Sequence, residues 1–369
     1  MERGNVRFLP MGGILDRYLA QGFLHIFIIS LVCTASLYLV VDFFDRISSF
    51  VDAGASMGTI VRYFVYKAPG SISRVIGFAT LFSGLFCLGM LTRTQEITAM
   101  RSSGVSVHRI ALPLLILSSL ISGFTFLWNE ALVPAFAHQA QTLFMTEVKN
   151  KQQKSLLGTA DIWMRGERSF ININNFDSAT TTLQGITIFL LNRDLSLRGL
   201  LEIPSAHWTG RGWQADAITE WHFLPDGKVV NRKANEIAPP ISETPEDLKL
   251  LAQDADEFNF FDLRKQILDM KSKGIDTARY EVDLQFKLAF PLISPLMILI
   301  AIPFALRRQM SGSIALSFAV AMLIGFGYWV VAAFCISLGH NGALPPWAAA
   351  WIPNGIFALI GLFFFTGEA

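Results

Sequence analysis

The sequence predicts an α-helical membrane protein of six spans, three plus three, with an antiparallel β-jellyroll-like domain inserted between the halves. Charged residues make up only 16% of the 369 residues. They are almost absent from six apolar segments, each long enough to cross a bilayer. Between the third and fourth segments, short alternating runs separated by turn residues indicate strands. The predicted divisions are 1–136, 137–258 and 259–369.

The composition argues against several classes of function. The net charge is +1 and no basic stripe occurs, so nucleic acid is not expected as a partner. Cys33, Cys87 and Cys335 lie in apolar runs and are predicted to be packing residues. The sequence has no GxxxxGK[ST] loop and no HExxH motif, and its span centres lack the charges that ion-coupled transporters use. Neither a cofactor nor an energy source is therefore expected within this chain.

The N-terminal half is predicted to contain three spans. Arginines before the first span, at about 23–41, place the N-terminus in the cytoplasm. Helical spacing of apolar residues predicts a separate interfacial helix over 57–67, ended by Pro69. The second and third spans follow at about 75–91 and 109–128.

A polar stretch, 92–109, joins the second and third spans. It carries three arginines, which places it on the cytoplasmic side. Good helix formers over 96–101 are followed by Ser103 and Gly104, so a short helix is predicted. Two interpretations stay open, a solvated connector and a docking surface for a cytoplasmic partner.

The insert contains bulky apolar residues on its predicted strands. In a closed sandwich they would form the core, whereas in an open one they would line a lipid path. The residues proposed for that path are Trp163, Phe170, Ile171, Ile173 and Phe189.

The C-terminal half begins with an amphipathic pattern over 260–271, which predicts a helix lying on the outer membrane interface. The fourth span, about 286–306, contains three prolines and is predicted to be kinked. The fifth and sixth spans, about 314–338 and 346–365, are joined by a loop without Lys or Arg.

Five short motifs spread along the chain all resemble motifs of a single protein family. They are GILDRYL at 13–19, EITAMRSSGVS at 96–106, KLAFPL at 287–292, AIPFAL at 301–306 and AWIPN at 350–354. Together they resemble the LptF/LptG (YjgP/YjgQ) family of lipopolysaccharide-export permeases, and the similarity covers essentially the whole chain. The runs LDRY and SKGIDTARY favour the LptG branch.

This resemblance implies a set of partners and a location. The chain would pair with an LptF-like permease, recruit an LptB-like ATPase dimer that binds ATP and Mg²⁺, and associate with an LptC-like jellyroll protein. Lipopolysaccharide would pass to a periplasmic LptA-like bridge. Both termini would be cytoplasmic, and the β domain would lie on the periplasmic side of the bacterial inner membrane.

The resemblance also implies two groups of site residues. The helix at about 92–105 would be the coupling helix that docks on the ATPase, through Glu96, Ala99, Arg101, Ser103 and Gly104. The first and fifth spans would line the lipid cavity, through Leu37, Val41, Asp42, Phe43, Phe44, Phe326, Trp329, Val330 and Phe334. Asp42 departs from a family position at which a lysine suits lipid phosphates.

Two other classes of function remain as alternatives. One is a non-transporting membrane scaffold of an envelope complex. The other is a membrane enzyme acting on a lipid-linked sugar, for which Asp254 and Asp256 would hold a divalent ion, although an acidic surface turn explains this pair more simply.

Overall fold

The computed structural model contains two helical halves separated by a β domain. It describes residues 13–149, 162–165, 169–177, 180–192, 196–223, 229–237, 239, 241, 244–245, 255–272, 277–306 and 314–368. The helices before the β domain are α1 Ile14–Asp52, α2 Met57–Arg93, α3 Glu96–Ser102, α4 Val107–Ala131 and α5 Val133–Phe144, and a π-helical turn follows at Met145–Lys149.

The second half begins with a 3₁₀ turn, Ala255–Glu257, and contains five helices in its described residues. They are α6 Phe260–Ser272, α7 Ala278–Ala289, α8 Ile293–Leu306, α9 Ile314–His340 and α10 Pro346–Glu368. Six helical segments of the described chain are long and apolar enough to cross a membrane, namely α1, α2, α4, α7–α8, α9 and α10. The predicted six spans are confirmed. The amphipathic helix is also found, as α6, with Leu263, Ile267 and Met270 buried.

The first hairpin is longer than a bilayer requires. The 39 residues of α1 extend about 58 Å, whereas the hydrocarbon core is about 30 Å thick. Beyond that depth α1 packs against α2 and α5 through aromatic rings, with Phe50 centred 5.1 Å from Tyr63 and 5.6 Å from Phe144. The hairpin therefore extends out of the membrane towards the β domain.

The prediction of a separate helix over 57–67 is wrong, because α2 continues through Pro69. A proline inside a membrane helix is tolerated where packing against neighbouring elements supports the helix. Here α4 packs against this turn, and the indole Nε1 of its Trp128 donates to the carbonyl of Pro69 at 3.1 Å. Burial of Ile60 and Tyr63 against the hairpin holds the first turns of α2 in line with the rest.

The predicted kink in the fourth span is confirmed, because a 3₁₀ turn, Phe290–Leu292, separates α7 from α8. The N–H of Ile293 bonds back into this turn, which leaves the carbonyl of Ala289 without its usual helical donor. Asn354 of α10 supplies one, with Nδ2 2.7 Å from that oxygen, and Tyr328 of α9 donates to Asn354 Oδ1 at 2.8 Å. One buried side chain thus links three spans.

Replacing Asn354 by leucine should leave the Ala289 carbonyl and the Tyr328 hydroxyl unpaired inside the bundle. We expect the free energy of unfolding in detergent micelles to fall by about 1–3 kcal/mol. The variant Tyr328→Phe removes only the second hydrogen bond and should lose about 1 kcal/mol or less. Equal stability of Asn354→Leu and the native protein would contradict this account of the break.

The β domain is confirmed as an antiparallel insert. Its described strands form a single sheet in chain order, with Ile173 opposite Ile186 and Ile188 opposite Leu201. The strands are β1 Ile162–Arg165, β2 Ser169–Asp177, β3 Thr182–Leu191, β4 Leu197–Trp208, β5 Trp213–Phe223 and β6 Val229–Ile237. Apolar residues of β2 to β5 form one buried cluster, which Ile241 joins from beyond β6.

Candidate functional site

The short helix α3 is fixed to the bundle by one face and exposed on the other. Ile97 is buried in the main core, and Met100, three residues later, packs against the same core. Thr98, Ala99 and Arg101 face away and are exposed. Residues three apart share a helix face, so this spacing gives α3 a fixed inner side and an accessible outer side.

Ser103 and Gly104 form the C-terminal end of α3. Gly104 has φ +86°, its N–H donates to the Arg101 carbonyl, and the N–H of Val105 donates to the Met100 carbonyl. This pair of bonds is a Schellman motif, which favours glycine because a side chain is strained at positive φ. The Ser103 hydroxyl donates to the Ala99 carbonyl at 2.9 Å. Both residues therefore shape the end of the helix, and both are exposed.

Two side-chain contacts tie the α3 region to α1. The hydroxyl of Tyr18 donates to Glu96 Oε2 at 2.7 Å, and Thr94 donates to the other carboxylate oxygen, also at 2.7 Å. At the start of α4, the guanidinium of Arg109 binds both oxygens of Asp16 at 2.5 and 2.8 Å. We call these two contacts the α1 latch. Glu96, predicted to meet a partner protein, is thus already bound within the chain.

The sequence reasoning did not find the α1 latch. The residues in each contact lie 78 and 93 positions apart in the chain, so no local pattern connects them. The one available signal was the LDRY run, which contains both Asp16 and Tyr18.

The two hydrogen bonds from Tyr18 and Thr94 favour the ionised carboxylate and hold the pKa of Glu96 below its ordinary value of about 4.5. The unfolded chain therefore takes up this proton at a higher pH than the native protein does. The stabilisation from this contact is complete above the ordinary value and is lost as the pH falls through the lowered pKa.

We accordingly expect the hydrogen-exchange protection factors of α3 to stay constant around neutral pH and to fall only in the acid range. Tyr18→Phe removes one donor, so its loss of protection should begin at a higher pH. If the two proteins lose protection at the same pH, the Tyr18 contact does not stabilise α3.

A second polar cluster lies on the β-domain side of the bundle. Lys67 Nζ is 2.5 Å from both oxygens of Asp42, and Arg46 Nε is 3.4 Å from Oδ1. The side chains of Asp42 and Lys67 are each only 14% exposed. Asp42 therefore compensates the charge of a lysine on the neighbouring helix.

Arg74 of α2 connects this side of the bundle to the segment that follows the β domain. Its guanidinium lies 3.1 Å from the Tyr38 hydroxyl and 2.5 Å from Asp256 Oδ2. Asp256 is one of the two acidic residues considered as metal ligands, and the other, Asp254, lies outside the described residues. Among the described residues no group of three or more His, Cys, Asp or Glu side chains is arranged to hold a metal.

The predicted cavity residues divide between exposed faces and packed positions. Phe43 is half-buried, with its ring 5.4 Å from that of Phe64, and Trp329 is also half-buried. Helix α2 packs against both α1 and α9. The residues that stand exposed are Leu37, Val41, Phe44, Phe326, Val330 and Phe334. One chain therefore presents an exposed apolar face on α1 and another on α9.

The predicted β-domain path divides between the two faces of the sheet. Ile171 and Ile173 are buried in the apolar cluster. Phe170 and Phe189 are directly opposite each other in the register and lie on the other face, where both are partly exposed. Trp163 is in β1 opposite Asn172, and its side chain lies outside the described part.

Six spans, a β domain on one side and an anchored helix in a loop on the other define the class, a multi-pass membrane permease. A family model, lipopolysaccharide export system permease LptF/LptG, matches residues 17–366, and the chain belongs to this family. The predicted family is confirmed. The chain is accordingly a component of lipopolysaccharide transport at the inner membrane rather than a catalytic enzyme.

Two relatives are similar to this chain over nearly its whole length. The chain is 23% identical to the lipopolysaccharide export system permease protein LptG of Escherichia coli K12 over 364 residues, which is 95% of this chain and 97% of that protein. It is 20% identical to LptG of Haemophilus influenzae over 349 residues, or 94% and 96% of the two chains. These similarities agree with the predicted LptG branch.

Proposed function

We propose that this permease is a subunit of an ATP-driven exporter that extracts lipopolysaccharide from the inner membrane and passes it to a periplasmic bridge. The observation that carries the proposal is α3, a short helix whose inner face is fixed to the bundle and whose outer face is exposed. An ATPase that changes shape can move a permease only through such a rigid contact. The outer face of α3 would dock on an LptB-like ATPase dimer, which would bind ATP and Mg²⁺.

The α1 latch would transmit a displacement of α3 to α1, the helix that would contact the lipid. Tyr18 and Asp16 lie near the start of α1, and the exposed residues Leu37, Val41 and Phe44 lie further along the same helix. A displacement of α3 would therefore be transmitted to the α1 face that the lipid contacts. The lipid would be released if its affinity differs between the two positions of that face.

The exposed faces of α1 and α9 support pairing with a second permease. Contiguous apolar surface marks interaction sites, although on a membrane span it also contacts bulk lipid. An LptF-like permease would cover these faces and enclose a cavity for acyl chains. Lys67 is neutralised by Asp42, so the more exposed Arg46 and Arg62 would meet the lipid phosphates first.

The β domain supports the later steps of export. With the α3 side and both termini in the cytoplasm, the β domain would be periplasmic, next to an LptC-like jellyroll protein and an LptA-like bridge. One face of its sheet is apolar, which suits acyl chains. Lipopolysaccharide would leave the membrane cavity and pass over this domain.

The decisive test is co-purification of the chain with an LptF-like permease and an LptB-like ATPase, followed by ATP-dependent lipopolysaccharide release from proteoliposomes. Arg101→Glu reverses a charge on the outer face of α3 and should reduce the retained ATPase by about tenfold, equivalent to about 1.4 kcal/mol. The matched control is Arg264→Glu, on an exposed face of α6, and it should retain the ATPase. Glu96→Lys is less informative because it also breaks the α1 latch.

Tyr18→Phe separates docking from transmission, because it should leave the ATPase bound while lowering the release of lipid per ATP hydrolysed. If all the subunits assemble but no lipid is released with ATP, the chain acts as a scaffold. If no ATPase binds even with both permeases present, the exporter proposal fails.

A further inference from the structure

A cavity of about 420 Å³ lies between α1, α2 and α4. It is separate from the exposed α1 face described above, because it is reached from the side of α4. Its lining residues from α1 and α4 are Phe27, Leu31, Leu117, Leu120, Ile121, Phe124, Thr125 and Trp128, and those from α2 are Ile72, Ser73 and Ile76. We call it the α1–α2–α4 groove.

The polar groups of this groove are all bonded to the protein itself. Ser73 Oγ donates to Asn129 Oδ1 at 2.6 Å, and Thr125 Oγ1 donates to the Ile121 carbonyl at 2.8 Å. The indole Nε1 of Trp128 donates to the Pro69 carbonyl. A buried water needs two to four polar partners, and an apolar cavity without them stays dry. The groove therefore suits a hydrocarbon ligand.

The position and length of the groove indicate which kind of hydrocarbon ligand it could bind. Leu117 and Trp128 are eleven residues apart on α4, which corresponds to about 16 Å. This is about half of the 30 Å hydrocarbon core, the thickness of one leaflet. Trp128 is near the end of α4 that leads towards the β domain, so the groove lies in the leaflet on that side.

The groove opens sideways to the lipid between Leu120 and Phe124, which are 64% and 57% exposed. The groove is thus an apolar cleft about 16 Å long that opens to the lipid, a shape that suits one extended acyl chain. We propose that the groove binds one acyl chain of a bilayer phospholipid in the leaflet on the β-domain side.

Crosslinking tests the proposal on the complete chain in nanodiscs. The probe is a phosphatidylethanolamine with a photoactivatable diazirine midway along one acyl chain. Ile76 and Thr125 form the floor of the groove and are 4% and 1% exposed, so ordinary surface lipid does not reach them. We expect adducts on these two residues, as well as on Phe363, which is 74% exposed and serves as the internal reference.

Leu120→Trp places a large ring at the mouth of the groove and should reduce floor adducts at least fivefold, with Phe363 adducts unchanged. The matched control is Leu127→Trp, because Leu127 is on the same helix, is also 64% exposed and does not line the groove. It should leave both sets of adducts unchanged.

Two results would overturn the proposal. One is labelling of Phe363 without labelling of the floor. The other is floor labelling by a lipopolysaccharide probe alone, which would make the groove part of the export path. Neither depends on ATPase binding, so this test and that of the exporter can fail separately.

Discussion

Replacing Gly84 by leucine should separate α2 from α8 and lower the free energy of unfolding by about 3 kcal/mol or more. A β-carbon at Gly84 would lie 2.8 Å from the β-carbon of Ala301 and 2.8 Å from Ile298 Cδ1, well inside van der Waals contact. The Ala301 β-carbon is attached directly to the backbone and cannot rotate away. Close approach of two helices through small residues is a common means of packing in membranes.

The smaller substitution Gly84→Ala should have a smaller effect in the same direction and lower the free energy of unfolding by about 1–3 kcal/mol. Its matched control is Gly89→Ala, five residues further along α2, where a β-carbon would meet nothing within 4 Å. That change should be neutral or slightly stabilising, because alanine is the better helix former. Thermal unfolding in micelles measures both, and equal effects would show that the α2–α8 contact is not tight.

Asp42→Ala should destabilise the protein by about 3 kcal/mol, because it leaves the ammonium of Lys67 largely buried without its counter-charge. The nearby guanidinium of Arg46 adds repulsion once Asp42 is gone. Asp45→Ala, an exposed aspartate on the same helix, is the control and should change stability by about 0.5 kcal/mol or less.

The double variant Asp42→Ala with Lys67→Met distinguishes a charge effect from loss of packing. Removing both charges should recover most of the stability, since an apolar pair of similar volume is often as stable as an ion pair. If the double variant is less stable than Asp42→Ala, the two residues act independently and Asp42 does not compensate Lys67.

The spans could be predicted because their signal is local. An apolar run longer than the hydrocarbon is thick must cross it, and the six predicted segments appear as six candidate spans. Pro69 shows where local reasoning fails. Proline usually ends a helix, but here α2 continues through it, supported by packing against α4, whose Trp128, 59 residues away, donates to the Pro69 carbonyl.

In the candidate site, too, local features could be predicted from the sequence, whereas contacts between distant residues could not. The helix in the 92–109 loop and its stop at Gly104 follow from residue types within a few positions, and the structure has both. The partner of Glu96 was expected on another protein, whereas Tyr18 binds it within the chain. The roles of the coupling and cavity residues remain predictions for the experiments above.

By itself, then, the sequence determined the six spans, the inserted antiparallel strands, the α3 helix and the family, because hydropathy, short-range propensity and motif order are all written along the chain. Only the tertiary structure decided which charges are compensated, as with Asp42 by Lys67, and where the helices leave a groove. These depend on groups that are distant in sequence and meet only when the helices pack. Their energies come from burial and geometry at the contact, and residue type alone carries neither.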